Sequence, residues 1–158
     1  MEKKDSSVGM KVLEIREISF SNKLTDYVIE NFREDKLIFK LGISVNGVES
    51  KNIINLLINV NYLMQDENSP KKQIEFLKME TETSFKLDNP NENHVKYNDD
   101  GKRIFIHDDL MALFLNVAIG ATRGMLAYKV ASLPINLVLP MVDLSNFIDE
   151  KKRKKVKK

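Results

Sequence analysis

The stretch IHDDLMALFLNVAIGATRGMLAYKVASLPINLVLPMVDLSNFID, residues 106–149, decides the fold. It opens with an apolar helix pattern that we expect to run to about Val130, with Asp108 as the N-cap and Asp109 near the positive helix end. An apolar loop with two prolines, residues 133–142, follows, and a second short helix begins after it. Surface loops are mostly polar because their backbone must be solvated. This loop is therefore either buried against a sheet or lines an apolar groove that another molecule fills.

Four strand candidates precede this stretch, with short polar links between them. The first, Val12–Phe20, changes parity between Ile15 and Ile18, which a bulge near Arg16 would reconcile. The other three alternate apolar and polar residues, as half-buried strands do, over residues 37–45, 53–64 and 74–87.

The links between these strands carry their own signals. Residues 21–35 are either a helical turn or an irregular connector that holds aromatic side chains. Asn46–Gly47 is a typical hairpin-turn dipeptide, and residues 88–101 read as a long polar loop. The fold class is α+β: a four-stranded antiparallel meander sheet followed by a long helix and a second C-terminal helix. We expect a flexible N-terminus over 1–11, one domain over 12–149 and a basic disordered tail over 150–158.

The charge of the chain is unevenly distributed. The net charge is +2, but seven of the last eight residues are Lys or Arg. Without them, 18 Lys and Arg face 23 Asp and Glu, so residues 1–150 carry a net charge of −5. A nucleic-acid-binding domain should carry its basic patch on the fold itself, so this class is disfavoured. The tail itself either binds nucleic acid or anionic lipid or acts as a disordered solubilising extension.

The chain shows no sign of a secretory signal or a membrane span. No apolar run follows the charged start, and the uncharged apolar stretch 110–122 is too short to cross a bilayer. The chain has no Cys, which excludes disulfides, thiolate metal sites and cysteine nucleophiles. We therefore expect a cytoplasmic protein.

No pattern of a catalytic or cofactor site is visible. There is no nucleophile elbow and no glycine-rich phosphate loop. His94 and His107 stand alone, and Asp99-Asp100-Gly101 reads as a turn rather than a calcium loop. Arg123 either recognises a carboxylate or bonds local carbonyls at the helix end, and Gly120 to Gly124 is a small-xxx-small pattern that favours helix packing across a subunit interface. We expect neither an enzyme nor a cofactor.

Three segments together resemble the SecB preprotein-export chaperone family. They are REISF at residues 16–20, AIGATRGML at 118–126 and LPINLVLPMVDLSNF at 133–147. Each is weak alone, but their order and spacing match the plan of four strands followed by helices. The resemblance covers residues 12–148 and is closer to a divergent SecB-like protein than to the export chaperone itself.

The resemblance implies binding without chemistry. SecB-like proteins assemble as homotetramers, dimers of dimers, and hold unfolded or precursor chains for protein export in long apolar grooves, without nucleotide. A groove lined by Leu, Met and aromatic side chains can repack around many clients. By position, the groove in this chain would be lined by residues of the connector and of the loop, namely Leu24, Tyr27, Val28, Phe32, Leu133, Ile135, Leu137, Leu139 and Met141.

Two departures from the family concern its partners. The acidic sheet positions that dock the translocase motor SecA correspond here to Glu17, Ser21 and Lys78, of which only the first is acidic. The acidic C-terminus of the family is replaced by the lysine tail. The fold and client binding carry over, whereas the motor does not. A second hypothesis is a dedicated interaction module that holds one partner, such as a toxin–antitoxin component or a secretion substrate.

Overall fold

Six strands and two α-helices make up the part of the chain that the computed structural model describes, residues 8–98 and 104–145. In chain order they are β1 (Gly9–Asn22), α1 (Asp26–Asn31), β2 (Leu37–Val48), β3 (Ile53–Asp66), β4 (Ser69–Asp88), β5 (Val95–Tyr97), β6 (Ile104–Ile106) and α2 (Asp108–Val130). The expected α+β class is confirmed. The second C-terminal helix and the basic tail fall beyond Ser145, outside the described residues.

The main sheet is antiparallel throughout, with the strand order β1-β4-β3-β2. The predicted meander holds for β2, β3 and β4, whereas β1 pairs with β4 instead of β2. Strands β3 and β4 each have a fully buried row of side chains, so they take the central positions. Strand β1 is mostly exposed and takes an edge. The connector of residues 23–36 contains α1, so no tight hairpin joins β1 to β2.

Strand β1 is irregular, as its change of parity predicts. Its register against β4 shifts twice, between Val12 and Glu14 and between Glu17 and Ser19, so two bulges flank Arg16. The Arg16 guanidinium donates to Glu82 Oε1 on the neighbouring strand at 2.7 Å. The strand begins at Gly9, three residues earlier than the sequence indicated.

The dipeptide Asn46–Gly47 does not form the hairpin turn, so this prediction is wrong. Both residues lie inside β2 and pair with β3, and Asn55 donates its side-chain amide to Asn46 Oδ1 at 2.9 Å. A Cβ at Gly47 would lie 2.7 Å from Ile104 Cδ1, so the glycine serves close packing. The turn comes later, at a 3-10 turn closed by Asn52 in the left-handed region with φ 52°.

The long polar loop contains structure that the sequence pattern did not indicate. Strands β5 and β6 pair as a small antiparallel sheet, with Val95 opposite Ile106. Helix α2 follows immediately, and its N-cap is His107 rather than Asp108. The His107 Nδ1 atom accepts a hydrogen bond from the backbone N–H of Asp109 at 3.4 Å. A ring nitrogen thus takes the place of the usual carboxylate or hydroxyl cap.

The core lies between α2 and one face of the main sheet. Phe114 of α2 stacks on Phe85 of β4 with ring centroids 4.4 Å apart. A buried hydroxyl pair, Thr81 and Thr122, joins the same two elements at 2.6 Å. Helix α2 is long and apolar enough to cross a membrane by length and composition. Its buried face packs on the sheet, and a core helix has the same composition.

Candidate functional site

The connector between β1 and β2 is anchored on the core by α1. Thr25 caps this helix by accepting from the backbone N–H of Val28 at 3.3 Å, and the Val28 side chain is buried. The backbone N–H of Lys23 donates to the Phe76 carbonyl on β4 at 2.7 Å. Leu24 and Phe32 pack half-buried against the core. The connector therefore lies on one end of the sheet with part of its apolar surface still accessible.

A row of aromatic rings joins this connector to the centre of the sheet. Phe32 meets the buried Phe76 edge-to-face, with centroids 6.3 Å apart. Phe76 lies 6.5 Å from the ring of Tyr62 on β3. Tyr62 then reaches the proline-bounded loop, because its hydroxyl donates to the Val138 carbonyl at 2.9 Å. The two segments that the sequence placed in one groove are thus brought to the same end of the sheet.

The loop after α2 is an extended segment whose side chains alternate between core and solvent. Ile135, Leu137 and Leu139 are buried, whereas Val138 is 67% exposed. Arg123 of α2 holds the end of the loop, with Nε 3.4 Å from the Leu139 carbonyl oxygen. Its Nη2 lies 3.4 Å from the Pro140 carbonyl oxygen. Arg123 thus bonds backbone carbonyls, as one of its two predicted roles required, but they belong to the loop 16 and 17 residues away and not to the helix end.

The outward side of this loop is the exposed apolar feature of the region. Met141 is 90% exposed, and its sulfur lies 3.9 Å from Arg123 Nη2. Ile29 on the connector is also exposed. Because the loop backbone is fixed by Tyr62 and Arg123, Val138 and Met141 are presented on a held strand-like segment rather than on a free loop. Such a surface can receive an apolar segment of another chain without ordering itself first.

The nine residues predicted to line a groove divide by exposure. Val28, Ile135, Leu137 and Leu139 are buried in the core; Leu24, Tyr27, Phe32 and Leu133 are half-buried; Met141 is exposed. The four buried residues pack in the core of this chain and do not line an open groove. Client contact by the other five stays a prediction. Tyr62 and Phe76, which connect the two segments, were missed; a tyrosine on a buried strand face was the available signal, because its hydroxyl needs a partner.

Two tyrosine hydroxyls form hydrogen bonds that hold the loop and the connector to this end of the sheet. Burial raises the pKa of Tyr62 to about 12, so its hydroxyl stays a donor at all physiological pH values. Tyr27 on the connector donates to Asp66 Oδ1 at 2.8 Å, at the turn between β3 and β4. This hydrogen bond is the main reason that the pKa of Asp66 lies below its ordinary value and that of Tyr27 above it. The Tyr27–Asp66 bond therefore fastens the connector to the sheet.

The positions that match the family's motor dock do not form an acidic surface. Ser21 and Lys78 lie opposite each other across β1 and β4. Glu17 is paired with Lys129 of α2 at 3.0 Å, which compensates its charge. These contacts agree with leaving the motor partner out of the functional assignment.

The two histidines lie at the opposite end of the sheet. His94 and His107 line an open cavity of about 460 Å³ with an apolar wall that includes Val8, Leu110 and Leu113. Within residues 8–98 and 104–145, no three His, Cys, Asp or Glu side chains are grouped so that they could hold a metal ion. The cavity carries no convergent set of catalytic groups. The segment Asp99-Asp100-Gly101 lies outside the described residues.

Comparison with known proteins gives a structural likeness only. No protein-family model and no curated protein sequence matches the chain. A SecB-like chaperone of Mycobacterium tuberculosis, Rv1957, solved with a ChAD peptide from the HigA1 antitoxin, superposes with a TM-score of 0.50 at 10% identity. The match covers 85% of this chain and 91% of that one.

The fold is SecB-like.

A Streptococcus agalactiae protein of unknown function matches with a TM-score of 0.29 and 11% identity, over 86% of this chain and 100% of that one. At that score the likeness supports no argument about function.

Proposed function

We propose that this protein is a SecB-like molecular chaperone that binds unfolded or precursor polypeptides in the cytoplasm, without nucleotide and without catalysis. The observation that carries the proposal is the held loop with its two exposed side chains, Val138 and Met141, at the same end of the sheet as the half-buried apolar surface of the connector. The SecB-like fold supports a protein-binding role. A homo-oligomer, a dimer of dimers by the sequence resemblance, belongs to the same proposal.

The proposed contact between this surface and a client is apolar and does not require a particular client sequence. Unfolded chains share no common side-chain order, but all expose apolar side chains that gain free energy on burial, roughly 25 cal/mol per Å². Methionine adapts its shape to different neighbours, and the Met141 side chain is 90% exposed. Tyr62 and Arg123 hold the loop backbone from beneath, so binding does not require the loop to fold.

The experiment is an aggregation assay with a chemically denatured, aggregation-prone protein diluted into buffer with equimolar chaperone. The double variant Val138→Ser/Met141→Ser should lose most of the delay in light scattering while keeping its thermal midpoint. The matched control is Val48→Ser, because Val48 is exposed but lies at the opposite end of β2. A wild-type protein that gives no delay at stoichiometric amounts would refute general chaperone activity.

A dedicated interaction module remains the second candidate, because the M. tuberculosis protein was solved with a peptide from an antitoxin. Under this hypothesis the same loop and connector hold one partner, such as a toxin-system component or a secretion substrate. Affinity capture from a native host lysate separates the two proposals. One partner at stoichiometric amount favours the module, whereas a broad set of precursor proteins that is lost in the Val138→Ser/Met141→Ser variant favours the chaperone.

A further inference from the structure

The two histidines face each other where the small β5–β6 sheet joins α2. The register places Val95 opposite Ile106, so the next pair outward is His94 and His107. The backbone N–H of His107 donates to the His94 carbonyl at 2.9 Å, which extends the pairing by this step. Opposite residues of an antiparallel pair point to the same side, and both rings line the same open cavity. The two imidazoles are therefore neighbours.

Both rings use the same nitrogen as a hydrogen-bond acceptor. His107 Nδ1 accepts from the backbone N–H of Asp109 at 3.4 Å and so caps α2. His94 Nδ1 accepts from the backbone N–H of Asn91 at 3.3 Å, within the turn that leads into β5. A ring nitrogen that accepts carries no hydrogen, so each neutral ring has its proton on Nε2. Both hydrogen bonds thus require the same neutral tautomer.

Protonation of the rings removes both hydrogen bonds. An imidazolium carries hydrogen on both nitrogens and has no acceptor left. In His107 the new Nδ1–H would point at the N–H of Asp109, and in His94 at that of Asn91, so a donor would face a donor. The Asp109 carboxylate lies 3.7 Å from His107 Nδ1 and can accept from the protonated ring. The imidazolium of His107 thus has a different partner from the neutral ring.

The charged groups around the rings are mostly carboxylates. On α2 they are Asp108 and Asp109, and the segment around β5 adds Glu92 and Lys96. Strand β1 contributes the apolar Val8 to the cavity wall, and Asp109 is the one charged side chain among the described residues that line it. Three carboxylates against one ammonium attract a positive charge on the rings. The local charges therefore favour protonation, whereas the two backbone hydrogen bonds oppose it.

The two hydrogen bonds fix a small unit that covers part of the core. Strands β5 and β6 have three residues each, and an isolated pair of strands is marginally stable at best. Below them, Val95, Ile106 and Leu110 are buried with exposures of 7%, 2% and 8%. A unit of this size has few contacts to replace a lost cap on α2 and a lost turn before β5. Its attachment is therefore sensitive to the state of the rings.

We propose that His94 and His107 form a pH-sensitive switch. The neutral rings hold the β5–β6 unit on the first turn of α2, and protonation of both rings loosens it, so that the apolar side chains beneath become accessible. This inference concerns the end of the sheet opposite the loop and the connector, and it does not depend on client binding.

The test is nuclear magnetic resonance on the full-length protein between about pH 8 and pH 5, the interval over which histidine side chains change charge. At the upper end, nitrogen-15 shifts should place the proton of both rings on Nε2. At the lower end, the backbone amides of Val95, His107 and Met111, whose hydrogen bonds close the unit, should lose protection from hydrogen exchange about tenfold, the factor expected for a lost helix cap. Protection is corrected for the chemical exchange rate, and the Ile58 amide of β3 should keep it.

Asparagine and glutamine variants separate the switch from a general effect of acid. The side-chain oxygen of asparagine occupies the place of Nδ1 and accepts at every pH, so His94→Asn/His107→Asn should keep its protection at the lower pH. In His107→Gln the oxygen lies at the place of Nε2, so protection should be low at both pH values. If His107→Gln fails to fold, the wild type and the asparagine variant decide alone.

Three results would overturn the switch. The first is a proton on Nδ1 of either neutral ring. The second is equal protection of the unit at both ends of the pH range. The third is an asparagine double variant that loses protection in acid as the wild type does.

Discussion

Replacing Leu137 and Met141 separately by alanine tests which side of the loop belongs to the core. The two residues lie four positions apart in one loop, but Leu137 is 3% exposed and Met141 is 90% exposed. Core Leu→Ala changes cost about 2–5 kcal/mol, and the loss is larger where neighbours cannot collapse into the cavity. Here Tyr62 holds the carbonyl of Val138, the residue that follows Leu137, and Arg123 holds that of Leu139.

The backbone around Leu137 is therefore restrained, and we expect a loss of about 3–4 kcal/mol for Leu137→Ala. For a domain of this size, each kcal/mol lowers the thermal midpoint by roughly 2–4 °C, so the midpoint should fall by roughly 6–16 °C. Met141→Ala should stay within about 0.5 kcal/mol of the wild type. Urea unfolding followed by circular dichroism measures both. A Leu137→Ala loss below about 1 kcal/mol, or an equal loss for Met141→Ala, would refute the inward and outward assignment.

Three further predictions concern side-chain hydrogen bonds. Tyr62→Phe leaves the Val138 carbonyl without its donor and should lower the free energy of unfolding, measured in urea, by about 1–2 kcal/mol. Because burial raises the pKa of Tyr62 to about 12, the phenol stabilises the wild type below pH 10, and this stability should be lost between pH 10 and 12. The Phe variant should not show this loss. Thr122→Val leaves the buried Thr81 hydroxyl unpaired, whereas in Thr81→Val the Thr122 hydroxyl still donates to the Ala118 carbonyl at 2.8 Å. Thr122→Val should therefore lower the free energy of unfolding more than Thr81→Val, and more than the double variant. Equal losses for the two single variants would contradict this. Because the Tyr27 hydrogen bond lowers the pKa of Asp66 in the folded state, this carboxylate stabilises the fold above its unfolded pKa near 4, and the stability is lost as the pH falls through the folded pKa. Tyr27→Phe should therefore make the free energy of unfolding depend less steeply on pH in the acid range, which a titration followed by tyrosine fluorescence measures.

Much of the fold could be predicted because side-chain periodicity is a local property. The alternation from Ile54 to Met64 and from Leu77 to Leu87 identified the buried rows of β3 and β4 correctly. The apolar spacing of α2 located the core helix from Asp108 to Val130. A period of two or of 3.6 residues records which side of an element is buried, and neighbours in the chain carry that record.

The candidate site stays a prediction, but the structure shows how its two segments are placed. It brings the loop and the connector to one end of the sheet through Phe32, Phe76 and Tyr62. Their individual residues could not be divided between core and surface from the pattern. A run in which nearly every residue is apolar has no polar side to mark the outward face, so Leu137 and Met141 look alike in the sequence.

By itself, the sequence determined the four long strands and helix α2, the buried faces of the central strands and the absence of cysteine chemistry, since these depend on residue identity and on local spacing. Only the tertiary structure decided that β1 pairs with β4, that Asn46–Gly47 lies within β2, and that Gly120 and Gly124 face open space. Each of these depends on which distant segment lies nearby. The Cβ position at Gly47 is excluded by Ile104, a contact across the chain that no local pattern records.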